Sequence, residues 1–211
     1  MKHIAFCSVA IRDERYIDQQ KRLIESITKF HPEAKQFHWT NELPIGSKPF
    51  LESLYGFKPH AILHAWNEGY ERIIWIDTAC ILLDRVDYLF DLCANHGVAA
   101  VKDDMRLPAS ESALAHFKYR RKDIADFHLV GGSLYAFDMY YSKAVFTSWL
   151  NAERLGIFGS QTEEAQGKLQ GHRHDETCMA LSLYRHGFEP LTPEQARYNY
   201  AGASVIKKHF K

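Results

Sequence analysis

Apolar and polar positions alternate between two rhythms along this chain. His3 to Ala10 and Ile73 to Ile76 are nearly unbroken apolar runs, the pattern of strands covered on both faces. Ile17 to Phe30 instead places apolar residues at 17, 23, 24, 27 and 30, a helical stripe. Lys35–Trp39 predicts a second strand and Pro44–Lys48 a loop. A helical region beginning at Pro49 or Phe50 is expected to continue through Lys58-Pro59, with Pro59 in a first turn, to a stop at Gly69. Further strands are expected at Val98–Val101, Leu129–Asp138 and Phe188–Leu191, and helices at Tyr141–Leu155 and Asp175–His186. Residues 103–127 are polar and show no long periodic core face, which predicts a mobile or partly helical excursion of the kind used as lids. Gly159–Gly171 reads as a polar loop. Strands alternating with helices predict an α/β sandwich, a single domain spanning 1–211 with a central, mostly parallel mixed sheet.

Composition narrows the function classes. The 211 residues carry 26 basic and 26 acidic side chains. A net charge of zero offers no electrostatic case for nucleic acid or an anionic membrane. No segment approaches about 18 consecutive apolar residues, so no membrane span is expected. The apolar run near the N-terminus is too short for a span and lacks a small-residue cleavage site, so no signal peptide is expected. Cysteines 7, 80, 93 and 178 show no C-x-x-C spacing and read as free buried thiols in a reducing, cytoplasmic compartment. The dinucleotide signature G-x-G-x-x-G and the phosphate loop G-x-x-x-x-G-K-[ST] are both absent, which argues against nicotinamide dehydrogenases and P-loop enzymes.

Asp77 is the leading functional candidate. It is a carboxylate where the apolar strand Ile73–Ile76 stops, and open α/β sheets bind ligands at the carboxyl ends of their strands. A turn-capping role is its structural alternative. Gly131 and Gly132 interrupt a strand and would let backbone or ligand approach closely, unless they mark a bulge. Asp175 and Glu176 open a helix, where the dipole favours carboxylates and where one could act as an acid or base. His172 and His174, with Cys178 one turn on, permit a zinc-hydrolase reading, although no H-E-x-x-H spacing supports it. Tyr135, Phe137 and Trp149 read as core.

Three segments, in this order, resemble GT-A glycosyltransferases, the nucleotide-diphospho-sugar transferase fold: Gly56-Phe-Lys58-Pro … Gly69-Tyr-Glu-Arg-Ile-Ile-Trp-Ile-Asp77-Thr-Ala; Leu129-Val-Gly-Gly-Ser-Leu-Tyr-Ala-Phe-Asp138; and His172-Arg-His174-Asp175-Glu176-Thr177. The pattern spans roughly residues 3–191. The resemblance implies a hexosyl- or deoxyhexosyltransferase that moves a sugar from a nucleoside diphosphate, UDP above all, to a hydroxyl of a glycan or glycoprotein. Mn²⁺ or Mg²⁺ would neutralise the diphosphate. It assigns Asp77 to the metal and nucleotide, Thr78, Lys58, Arg12 and Tyr16 to the nucleotide, Gly131, Gly132 and His174 to the substrate, and Asp175 and Glu176 to catalysis. The chain departs from the family's Asp-x-Asp motif, since Ala79 stands at the second acidic position. The resemblance then points to His209 as a second metal ligand. Inverting and retaining courses both stay open, and loss of the second Asp leaves room for a sugar-nucleotide- or glycan-binding module without turnover.

Overall fold

A computed structural model describes residues 4–169, 171–199 and 206–208. In chain order it contains β1 (Ile4–Ala10), α1 (Glu14–Phe30), β2 (Lys35–Thr40), α2 (Phe57–Asn67), β3 (Arg72–Ile76), β4 (Cys80–Leu82), α3 (Tyr88–His96), β5 (Ala99–Arg106) and α4 (Glu111–Phe117). A 3-10 turn (Arg121–Ile124), β6 (His128–Asp138), α5 (Met139–Arg154), α6 (Gln161–Ala165), α7 (His174–Arg185), β7 (Tyr198–Asn199) and β8 (Ile206–Lys208) follow.

The main sheet has the order β2-β1-β3-β6-β5. β1 pairs in parallel with β2 and β3, whereas β3–β6 and β6–β5 are antiparallel. Four of the five strands therefore run in one direction and β6 alone is reversed, so the mixed sheet is mostly parallel, as the alternation predicts. The reversal of β6 against β3 and β5 is one that hydrophobic periodicity does not encode. β4, β8 and β7 form a second, three-stranded sheet.

Alternation along the strands sorts the core into two layers. Ala5, Cys7, Val9, Ile73 and Trp75 face a layer made with Ala61 and Ile62 of α2, Val145 and Trp149 of α5, and Leu181 of α7. Ile4, Phe6, Ile74 and Ile76 face the opposite layer, built from Leu23 and Ile27 of α1 and Leu89, Phe90 and Cys93 of α3. Both faces are covered, which is why β1 and β3 read as continuous apolar runs.

Helix starts follow their caps. The Asp13 side chain accepts from the Arg15 amide at 2.8 Å and begins α1 three residues before the apolar stripe. Ser110 and Asp138 cap α4 and α5 in the same way. The segment 103–127 is partly helical, as expected, through α4 and the 3-10 turn, but it does supply buried residues to the core. β5 runs on to Arg106, and Leu107, Ala109, Ala113, Leu114, Phe117 and Ile124 are all buried in the α2 side of the core. Its apolar residues are spread over a strand end, a two-turn helix and a 3-10 turn, so no single period links them. The Phe188–Leu191 strand reduces to one bridge between Leu191 and Val101, and the Gly159–Gly171 loop contains α6. All four cysteines are buried and unbridged. Among the described residues no helix is long and apolar enough to cross a membrane.

Candidate functional site

The chain leaves β1 through α1 to one neighbour, β2, and reaches the other neighbour, β3, through α2. The crevice beyond the carboxyl ends of β1 and β3 is thus the point where strand order reverses, the preferred ligand position in open α/β sheets. A cleft of about 610 Å³ lies there. Arg12, Arg15, Tyr16 and Gln19 line it from the β1–α1 side, Phe50, Tyr55, Phe57 and Lys58 from α2 and its approach, and Trp75, Asp77, Thr78 and Ala79 from the end of β3.

Arg12 (φ 77°), Tyr55 (φ 61°) and His174 (φ 46°) adopt the left-handed region that non-glycine residues avoid, at a cost of about 1–3 kcal/mol each. Arg12 is held there with its guanidinium 4.6 Å from the Phe50 ring centroid. His174 is held by its Nδ1 contact with the Phe158 carbonyl at 2.9 Å and by a ring contact with Tyr55 at 5.9 Å.

Asp77 is fixed at the mouth of β3. Its amide donates to the Ser133 carbonyl and its own carbonyl accepts from the Cys80 amide, each at 2.9 Å. Among the described residues its carboxylate caps no turn amide; Oδ1 accepts from the Trp75 indole Nε1 at 3.1 Å. The side chain is 30% accessible and belongs to the cleft lining. Thr78 beside it is buried.

Behind Asp77 sits a buried charge network that the segment order alone does not reveal. Lys58, in the first turn of α2, donates from Nζ to the Gly132 carbonyl at 2.9 Å and to Asp175 Oδ2 at 2.8 Å, with Asp77 Oδ1 at 3.9 Å. Three aromatic rings, Tyr55, Trp75 and Tyr135, surround the ammonium at 5.1–5.8 Å. Tyr135 Oη also donates to Asp175 Oδ2, and the Trp149 indole donates to the Asp175 carbonyl. Glu176 Oε1 accepts the Gly132 amide at 3.0 Å, and Arg173 Nε reaches its other oxygen at 3.2 Å.

The Gly132 peptide is the hub, because it serves Glu176 through its amide and Lys58 and Trp75 through its carbonyl. A Cβ at Gly132 would stand 2.7 Å from Lys58 Nζ and 3.0 Å from Glu176, so a side-chain carbon there would force the network to shift. Gly131 precedes it in β6, half-buried and away from the cleft lining.

The network crowds three carboxylates around one ammonium. Burial alone would lower the Lys58 ammonium, but Asp175, Asp77 and Glu176 outweigh it and hold Lys58 above its ordinary value. Burial pushes the Asp175 carboxyl up to about 7, with Glu176 and Asp77 adding to the effect and Lys58 opposing it. A cationic Lys58 and a reluctant Asp175 are consistent, since the local charge is short of positive partners.

The expected site residues separate into groups. Arg12, Tyr16, Lys58, Asp77 and Thr78 meet in the cleft. Gly132, Asp175 and Glu176 join them through hydrogen bonds. His174 packs outside the lining, against Phe158 and Tyr55, and His209 lies outside the described residues. The aromatic wall of Phe50, Tyr55 and Phe57 went unread in the sequence: the helix expected from Pro49 or Phe50 starts only at Phe57, and Phe50 and Tyr55 sit in the turns before it. Trp75, Tyr135 and Trp149 are core as expected, yet each also points a polar atom into the network. The aromatic choice at these buried positions was the available signal, since buried Trp and Tyr find partners for their N–H and O–H.

A zinc site at His172, His174 and Cys178 has no geometric basis. Cys178 Sγ is 3.9 Å from His172 Nε2, but His174 Nδ1 is committed to the Phe158 carbonyl. Among the described residues the three do not bring their ligand atoms together. Three potential ligands do meet elsewhere, at His31, Glu33 and Asp87. There, however, His31 Nε2 accepts the Val86 amide, so Nδ1 carries the proton and offers no lone pair. Arg85 already bridges Glu33 and Asp87. That cluster is an ion-pair tie between the end of α1 and the approach to α3.

For a hard divalent ion the cleft provides one protein carboxylate, Asp77, and Ala79 provides none. That set suits an ion that draws most of its oxygens from a diphosphate and water. No protein-family model matches this chain, and no curated protein matches it.

Proposed function

We propose that the protein is a GT-A-like glycosyltransferase that moves a sugar from a nucleoside diphosphate, UDP in the first instance, to a hydroxyl of a glycan or glycoprotein acceptor. The observation that carries the reading is Asp77, an accessible carboxylate at the strand-order reversal, facing a cleft that also holds Arg12, Arg15, Tyr16 and Lys58. Cations and a flat aromatic beside a carboxylate match a diphosphate-linked aromatic base. The cleft volume suits a ligand of nucleotide-sugar size. The acid pair at the start of α7 lies across Lys58 from Asp77, where a hydroxyl acceptor would approach.

In this reading Asp77 would hold Mn²⁺ or Mg²⁺, which neutralises charge on the departing diphosphate. Arg12 and Arg15 bind phosphate or base edges, and Tyr16 supplies a stacking face. Trp75 keeps the Asp77 carboxylate aimed at the cleft.

The test is calorimetric titration of UDP with Mn²⁺ and then with chelator, for the wild type and Asp77→Ala. Metal-dependent binding lost in the variant, with its melting temperature kept within a few degrees, is the expected result. The fold survives because the side chain is accessible and the Trp75 indole retains the Gly132 carbonyl as a partner. Equal affinity in both proteins overturns the assignment. Metal-dependent binding without hydrolysis or transfer of any UDP-sugar favours the second reading, a non-catalytic sugar-nucleotide module, for which the missing carboxylate at Ala79 speaks.

A further inference from the structure

We infer that Lys58 and Asp175 are a buried positioning pair, which sets Asp77 and Glu176 without touching donor or acceptor, and that Glu176 is the acid of the pair that meets substrate. This rests on the reading above and changes the roles within it.

Accessibility separates the two neighbouring acids. Only 3% of the Asp175 side chain is accessible, against 19% for Glu176. Asp175 Oδ2 already takes hydrogen bonds from Lys58 and Tyr135. A group so enclosed reaches a substrate only if the core opens. Glu176 instead holds one buried amide, that of Gly132, and one surface guanidinium, that of Arg173, which is free to swing into solvent.

Lys58 is equally committed. An ammonium has three protons. Two go to the Gly132 carbonyl and Asp175, and the third lies on the side of Asp77. The side chain is 4% accessible and walled by Tyr55, Trp75 and Tyr135. Two of the three donors thus serve protein acceptors within hydrogen-bond range, the Asp77 carboxylate balances the charge from 3.9 Å, and with 4% of the side chain accessible little of the ammonium is open to a phosphate. What the pair does is hold the Gly132 peptide. Through it a continuous path runs from Asp77 to the Trp75 indole, to the Gly132 carbonyl, and from the Gly132 amide to Glu176. The two working carboxylates are thereby placed relative to each other.

The experiment compares Lys58→Met, Asp175→Asn and the double variant with the wild type. The first readout needs no ligand: the Trp75 indole N–H proton resonance, assigned with Trp75→Phe. Lys58→Met is expected to shift it, and adding Asp175→Asn is expected to move it back, because the double variant leaves no lone buried charge. The second readout is UDP titration with Mn²⁺. Lys58→Met is expected to weaken binding tenfold or more, and the double variant to recover to within about threefold of the wild type. A double variant as weak as Lys58→Met makes Lys58 a direct phosphate ligand and overturns the proposal. So does an unmoved indole resonance. If Lys58→Met does not fold, the double variant against the wild type decides by the same threefold and tenfold limits. If the wild type binds no nucleotide, the reading of function fails, while the indole resonance still decides the pair. Glu176→Gln closes the test. It is expected to lower donor turnover at least a hundredfold with UDP affinity held, and a smaller effect than that of Asp175→Asn reverses the assignment of the two acids.

Discussion

Replacing Gly132 by alanine adds one carbon at the centre of the network. The new Cβ would lie 2.7 Å from Lys58 Nζ, about 0.7 Å short of the 3.4 Å of ordinary contact, and 3.0 Å from both Cγ and Oε1 of Glu176. A lysine tip usually swings aside, but this one is tied by bonds of 2.8 and 2.9 Å. Withdrawing it by that amount stretches at least one of them past the useful range of about 3.2 Å. Overpacking costs about 1–3 kcal/mol. A weakened hydrogen bond to a charged group adds up to about 1.5–3 kcal/mol. Removing one partner of a buried ion pair, at about 3–5 kcal/mol, sets the upper bound. The expected loss is therefore about 2–4 kcal/mol by these terms. At about 2–4 °C per kcal/mol for a chain of this size, the melting temperature falls by about 4–16 °C. Calorimetry on Gly132→Ala measures it. The same alanine in a Lys58→Met background is expected to cost less than about 1 kcal/mol more, because the nearest atom it meets is gone. An equal cost in both backgrounds, or none in either, would refute the claim that Gly132 is glycine because of Lys58.

Leu114→Ala is expected to destabilise by about 2–5 kcal/mol in urea denaturation, since Leu114 is buried in the core and not part of a surface excursion; a loss under about 0.5 kcal/mol contradicts that placement. Glu153 is buried and bonded to His60 Nε2 at 2.8 Å and Ser53 Oγ at 3.0 Å, which ties the Phe50–Tyr55 wall to α5. Glu153→Ala strands two buried groups, at about 1–3 kcal/mol each, and is expected to weaken nucleotide binding together with stability; unchanged UDP affinity would detach that wall from the site. The raised Asp175 gives a pH signature. Between its ordinary value of 3.8 and about 7 the folded protein keeps a proton that the unfolded chain has shed, so this group's contribution falls as pH rises through that window. The slope reaches about 1.4 kcal/mol per pH unit. Buried His38 and His172, lowered to about 4 and about 3 by burial, slope the other way, but Asp175→Asn shares them. The stability of the wild type minus that of Asp175→Asn is therefore expected to decline from pH 4 to 7, and a flat difference refutes the raised carboxyl.

Hydrophobic periodicity by itself determined most elements here. Burial on both faces demands the unbroken apolar runs of β1 and β3, and a helix buried on one side demands the stripe of α1, so these were legible residue by residue. The place of Asp77 at the cleft was legible for a related reason, because a carboxylate closing an apolar strand falls at the strand's carboxyl end. The tertiary structure decided the rest. It reversed β6 against β3, since strand direction leaves no trace in a period of two. It anchored residues 103–127 to the core through Leu107, Ala109, Ala113, Leu114, Phe117 and Ile124, since short elements bury scattered side chains that share no period. It also distinguished Asp175 from Glu176. Adjacent in sequence and alike in charge, they differ because α7 turns one carboxylate onto Lys58 of a helix 117 positions away and leaves the other near solvent. Contacts over that separation are made by the fold, and no local pattern of residues carries them.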